Sequence, residues 1–122
     1  MALIKKFEDI VAWQEARKLV ESIYRVTSTG ALVKDFGMRD QLRRAAVSAM
    51  TNIAEGFDCE SKIEFARFLG IVRPSAVEVQ SLLYAALDVG YINEHVFKTE
   101  YQQGEKTKAL VGGLKRSLKS PS

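Results

Sequence analysis

The sequence predicts an all-α protein, an antiparallel up-down-up-down four-helix bundle. Three observations point there. Four stretches carry apolar residues at alternating spacings of four and three, which places them on one stripe of a helix. Between those stretches fall Gly, Ser and Asn residues of the kind that stop and restart helices. The chain has 122 residues, suited to one hydrophobic core, so residues 1–122 are read as a single domain.

The first helix is expected to begin near Glu8 or Asp9, acidic residues that suit the positive end of the helix dipole, and to run to about Thr27. Ala12, Ala16, Leu19, Ile23 and Val26 form its seam, and Trp13, Val20, Tyr24 and Thr27 widen the apolar face. Thr27-Ser28-Thr29-Gly30 breaks the pattern with poor helix formers. Residues up to Gly37 read as a connector that Phe36 pins to the core.

The second helix is expected from Met38–Asp40 to Glu55. Leu42, Ala46, Ala49 and Ile53 make its seam, and the two alanines allow close approach of a neighbour. Gln41, Ala45, Ser48, Asn52 and Glu55 form a second stripe, about 100° round the helix and partly buried. Arg43, Val47, Met50 and Ala54 form a third. Gly56 is expected to end the helix in the left-handed conformation. A carboxylate beside a bundle core must find donors or shift its pKa upward. Asn52 and Glu55 therefore suggest either a binding or acid–base pair or a structural polar layer. The layer is preferred, because no histidine or second reactive group joins them in sequence; Gln41, Ser48, Asn52, Glu55 and, from the third helix, Glu78 would compose it.

After a turn at Asp58-Cys59-Glu60, Ser61 and Glu64 form a capping box that opens a third helix running toward Val89. Its apolar face is wide: Phe65, Phe68, Leu69, Val72, Ala76, Val79, Leu83, Ala86 and Leu87. Pro74 removes one amide and crowds the carbonyl of Gly70, which predicts one kinked helix rather than two. Gly90 suits a C′ position with Tyr91 folding back, and Asn93 is a good N-cap for the fourth helix. That helix carries Phe97, Tyr101, Gly104, Lys108, Val111, Lys115 and Leu118 at four-three spacing. Gly104, Gly112 and Gly113 each weaken it by up to about 1 kcal/mol, so fraying is expected from Gly112 onward.

The central stretch also resembles a family. Gln41-Leu42-Arg43-Arg44-Ala45-Ala46, Ser48 and Asn52-Ile53-Ala54-Glu55-Gly56 look like the signature of the bacterial four-helix proteins encoded in intervening sequences of 23S ribosomal RNA genes. Further matches are Trp13-Gln14-x-Ala16, Glu64-Phe65-x-x-Phe68-Leu69, Ser75-x-x-Glu78 and Leu87-x-x-Gly90-Tyr91-Ile92. The likeness covers about residues 7–118, with Arg73-Pro74 a departure from it. More distantly, the family is similar to accessory proteins of diversity-generating retroelements, which are pentameric and bind nucleic acid and a reverse transcriptase. The resemblance implies a homopentamer.

Composition narrows function without supplying it. Hydrophobic residues at 47% and charged residues at 27% describe an ordinary globular chain. No apolar run approaches the ~20 residues of a membrane span, and Met1-Ala2-Leu3-Ile4-Lys5-Lys6 does not read as a signal peptide, so a cytoplasmic location with no membrane contact is expected. The single cysteine, Cys59, excludes an internal disulfide, and the single histidine, His95, excludes His-rich metal sites. Phosphate loops, Ser/His/Asp sets and the Glu-x-x-His pairs of di-iron bundles are all missing. No enzyme, metal or cofactor is predicted. The basic residues Arg39, Arg43, Arg44, Lys115, Arg116 and Lys119 are candidates for a phosphate-backbone contact with RNA or DNA, against the plain alternative of a solvated surface. No aromatic residues interleave them in sequence, so base stacking is not predicted. The reading is a non-enzymatic, oligomeric nucleic-acid binder, with a protein–protein adaptor or accessory subunit of an enzyme such as a reverse transcriptase as the alternative.

Overall fold

Three helices begin where a short polar side chain satisfies a free amide. The structure, a computed structural model, describes residues 4–119 and builds them into α1 (Val11–Val26), α2 (Phe36–Asp58), α3 (Lys62–Asp88) and α4 (Glu94–Ser117). The Asp35 carboxylate accepts from the Met38 amide at 3.1 Å, the Ser61 hydroxyl from the Glu64 amide at 3.3 Å, and the Asn93 carbonyl oxygen from the Val96 amide at 2.9 Å. Each helix packs on the next, and α1 packs on α4, which closes an up-down-up-down bundle.

The beginning of α1 differs from expectation. Glu8 and Asp9 lie in a separate 3-10 turn, Phe7–Asp9, and α1 starts after Ile10, which has no side-chain cap and is buried. Burial of Ile10 sets the helix entry instead. The α1–α2 connector differs as well. A second 3-10 turn, Gly30–Lys34, turns Leu32 into the core at 1% exposure, while Phe36 opens α2 with 64% of its surface exposed. Leu32, not Phe36, pins the connector.

Gly56 does not end α2. The helix continues to Asp58, and the left-handed residue of the following turn is Glu60, at φ 56°. Gly56 is instead a point of close approach. A β-carbon there would stand 2.6 Å from Phe68 Cβ and 3.0 Å from Phe65 Cδ1, so α3 lies directly against the α2 backbone. Gly90 does take the expected role, at φ 81°. Its amide donates to the Leu87 carbonyl at 3.0 Å and the Tyr91 amide to the Ala86 carbonyl at 2.8 Å, the paired bonds of a Schellman cap. The Tyr91 hydroxyl then donates to Asp35 at 3.1 Å, tying the end of α3 to the cap of α2.

Helix α3 is one element through Pro74, which sits on its exposed face. The carbonyl that loses its helical bond is that of Gly70, an exposed residue, and the Ser75 hydroxyl donates to the Ile71 carbonyl at 3.0 Å. Helix α4 does not fray at its glycines. It runs to Ser117, because Leu110, Val111, Leu114 and Leu118 pack into the core and the Arg116 guanidinium folds back over Gly112 and Gly113. Gly104 is a notch for Gln80, whose side chain would meet a β-carbon there at 3.2 Å.

The core falls into two clusters. One gathers Ile10, Trp13, Ala49, Ile53, Phe65, Leu69, Val72 and Val111 near the start of α1; the other gathers Leu19, Ile23, Leu32, Leu42, Ala46, Val79 and Leu83 near its end. Trp13 is only 8% exposed, with the Phe7 ring edge-on at 5.1 Å, and Met50 and Ala54 pack against the same cluster. Trp13, Met50 and Ala54 are therefore packed within the chain, while Val47, on the same stripe of α2 as Met50 and Ala54, lines an open cleft.

The contact at Gly56 generates a prediction. Gly56→Ala gains about 1 kcal/mol of helix propensity but forces a β-carbon into two backbone-anchored aromatic side chains, an overpacking cost of about 1–3 kcal/mol. The expected outcome in denaturant unfolding is net destabilisation. An unchanged or raised midpoint would show that α2 and α3 are not in this close contact.

Candidate functional site

At mid-height, between the two apolar clusters, the helices face one another through polar groups. On the α2–α3 side, the Ser48 and Ser75 hydroxyls meet at 2.9 Å, and the Asn52 amide donates to the Ser48 carbonyl at 2.8 Å and hydroxyl at 3.1 Å. On the α3–α4 side, the Gln80 amide donates to the Tyr101 carbonyl at 3.2 Å and to the Glu105 carboxylate at 2.9 Å. On the α1–α4 side, the Gln103 amide donates to the Glu15 carbonyl at 2.8 Å and carboxylate at 3.1 Å. Two turns further along α1, the Ser22 hydroxyl donates to Glu100. Among the described residues no buried side-chain polar atom lacks a partner.

This belt is not the layer the sequence suggested. Ser48 and Asn52 belong to it, whereas Gln41, Glu55 and Glu78 are exposed. The buried carboxylates are Glu15 and Glu100, at 5% and 6% exposure, and neither was singled out in the sequence. A signal was present: Glu15 falls between Ala12 and Ala16 on the seam side of α1, and Glu100 lies one position before Tyr101 on α4. Only the packing of α1 on α4 turns that adjacency into burial.

The two carboxylates are held in opposite ways. Glu15 is kept ionised by the Lys18 ammonium at 2.9 Å, the Gln103 amide and the Lys106 ammonium at 3.2 Å, which together outweigh its burial and bring it down to about 2. Glu100 is pushed up from the usual carboxylate range by burial, against the Ser22 hydrogen bond and the more distant Arg25 charge. Nothing in the belt is arranged as a nucleophile and base, and among the described residues no group of three His, Cys, Asp or Glu could hold a metal ion. The belt links neighbouring helices and fixes their register.

The six candidate basic residues do not form one surface. Arg39, Arg43 and Arg44 lie near the start of α2, while Lys115, Arg116 and Lys119 lie at the end of α4, at the opposite pole of the bundle. The 23 residues of α2 separate the poles by roughly 34 Å. Two of the six are engaged by the fold. The Arg39 guanidinium donates to the Val33 carbonyl at 3.1 Å and pairs with Asp40 at 2.9 Å. The Arg43 guanidinium donates to the Thr27 hydroxyl at 2.8 Å and the Ser28 hydroxyl at 3.1 Å. Arg44, Lys115, Arg116 and Lys119 form no ion pair among the described residues.

The belt carboxylates predict opposite pH behaviour. The stability that Glu15 adds is complete above about 4.5 and is lost as pH falls from there toward about 2. Glu15→Gln should cost about 1–3 kcal/mol at neutral pH, with the deficit shrinking in that acid window. Glu100 is raised, so it favours folding below its ordinary pKa and loses that contribution as pH rises through its folded value. Glu100→Gln should be neutral or stabilising at pH 7. Thermal melts of both variants across pH check this; a destabilised Glu100→Gln at neutral pH would overturn the assignment.

None of the curated proteins compared with the chain matches it. Among solved structures, the chain is similar to a protein of unknown function from the S23 ribosomal protein family of Bacteroides thetaiotaomicron, with a TM-score of 0.80 and 19% identity over 87% of this chain and 96% of that one. That likeness establishes the four-helix fold. The family model described as 23S rRNA-intervening sequence protein matches residues 8–113, which takes in α1, α2 with its stretch from Gln41 to Gly56, α3 and most of α4. On that match, the chain belongs to the 23S rRNA-intervening sequence protein family.

Proposed function

We propose that this is a non-enzymatic cytoplasmic protein that assembles with copies of itself and binds RNA or DNA through phosphate contacts. The observation that carries the reading is that four of the six candidate cations form no ion pair among the described residues: Arg44 at one pole, and Lys115, Arg116 and Lys119 at the other. A cation without a carboxylate partner is free to displace counterions from a phosphate backbone. The net charge of +3 is small for one chain, and assembly into the pentamer implied by the sequence likeness would repeat each pole around a ring and strengthen its field.

Support for assembly comes from α3. Ile63, Ile71, Val77 and Tyr84 are all exposed on α3, and from Gly70 to Tyr84 the four-three series Gly70, Pro74, Val77, Ser81, Tyr84 carries no charge. An uncharged outward stripe is suited to a helix of another subunit. The same stripe favours the second reading, a protein–protein adaptor or accessory subunit of a nucleic-acid enzyme such as a reverse transcriptase.

Light scattering and nucleic-acid binding at two salt concentrations test the proposal. The expected result is a pentamer whose binding weakens steeply with salt. The quadruple replacement of Arg44, Lys115, Arg116 and Lys119 by Gln should reduce low-salt affinity by an order of magnitude or more. A monomer would remove the ring. Absence of binding at low salt, with assembly intact, would favour the adaptor.

A further inference from the structure

Folding places two aromatic rings beside the basic residues of α2, although the sequence keeps them apart. The Arg43 guanidinium lies over the Tyr24 ring at 4.5 Å, and the Arg39 guanidinium over the Phe36 ring at 4.7 Å. Arg39 and Arg43 are four residues apart on α2, so their side chains are neighbours, with β-carbons about 5–6 Å apart. Tyr24, Asp40, Arg43, Arg44 and Val47 line one open cleft at this corner.

Two further arginines lie over rings, Arg17 over Trp13 and Arg67 over Phe68, but these rings belong to the packed interior or its margin. The α1–α2 corner is different. Phe36 is 64% exposed and Tyr24 is 41% exposed, and the connector already has its core anchor in Leu32. Most of the Phe36 ring stays outside the core, and Tyr24 keeps one side open. Each is held flat by an arginine that is itself fixed, Arg43 by Thr27 and Ser28, Arg39 by Val33 and Asp40. Within the cleft the Asp40 carboxylate stands against Arg43 and the unpaired Arg44, and the nearby Asp35 carboxylate is taken up by the Met38 amide and the Tyr91 hydroxyl.

We infer that this corner is a stacking site for unpaired bases of a single-stranded nucleic acid. Tyr24 and Phe36 offer pre-oriented rings, and Arg44 and the free edge of Arg43 meet the phosphates between successive bases. Duplex bases are stacked on one another and have no open face for such rings. The inference rests on the nucleic-acid reading above and adds to it a preference for single strands, together with the residues that create that preference.

Fluorescence anisotropy with an oligo-dT strand and a random-sequence duplex of equal length separates the two claims. The whole protein should bind the strand more tightly than the duplex. Replacing Tyr24 and Phe36 together by Leu keeps every charge and should weaken strand binding on the order of tenfold or more, leaving duplex binding unchanged. Tyr24→Phe with Phe36→Tyr should restore strand binding. Circular dichroism checks the fold, and if the double variant does not fold, Phe36→Leu alone carries the test because that ring is mostly outside the core. Unchanged strand binding in a folded leucine variant overturns the stacking site and leaves phosphate binding standing. Equal loss on strand and duplex also overturns it. A protein that binds neither nucleic acid at low salt removes both readings.

Discussion

A polar group buried in a bundle has few places to find a partner, and this constraint organises the structure. Glu15, Gln103, Gln80, Ser48 and Ser75 all lie inside their helices, where a slip of one helix along another would leave them unpaired. Apolar side chains tolerate such a slip far better, because burial is not directional. The belt thus supplies a register that the two leucine- and alanine-rich clusters on either side do not specify alone. Glu15 is the most constrained member, since its carboxylate needs Lys18, Lys106 and Gln103 in place together, the last two from α4.

Close approach is the second condition. The β-carbon-free surface of Gly56 lets α3 reach the α2 backbone, and the Gly104 notch admits Gln80 to its partners on α4. Both glycines sit inside helices, where propensity alone disfavours them. Their value lies in what the neighbouring helix places there.

With its middle committed to register, the bundle has its poles and its α3 face left for contact with other molecules. Part of the charge at the poles is itself structural: Lys115 and Arg116 complement the negative end of the α4 dipole, and Arg43 bridges α2 to the end of α1. Arg44 forms no ion pair among the described residues, and the Tyr24 and Phe36 rings stay partly exposed beneath Arg43 and Arg39.

The sequence by itself determined the helices, their order and the ends that rest on local caps. The seam Leu42, Ala46, Ala49, Ile53, the caps at Ser61 and Asn93 and the turn at Gly90 are local signals, set by periodicity and by backbone groups a few residues away. The candidate basic residues were also legible, since charge is read directly from residue identity. Tertiary structure decided which of them stay free, why Gly56 is glycine, that Glu15 and Glu100 are buried while Gln41, Glu55 and Glu78 are not, and that aromatic rings join Arg39 and Arg43. The physical reason is the same in each case. A helical wheel gives the angle of a side chain about its own axis, but burial, pairing and stacking depend on which atoms of another helix lie opposite it.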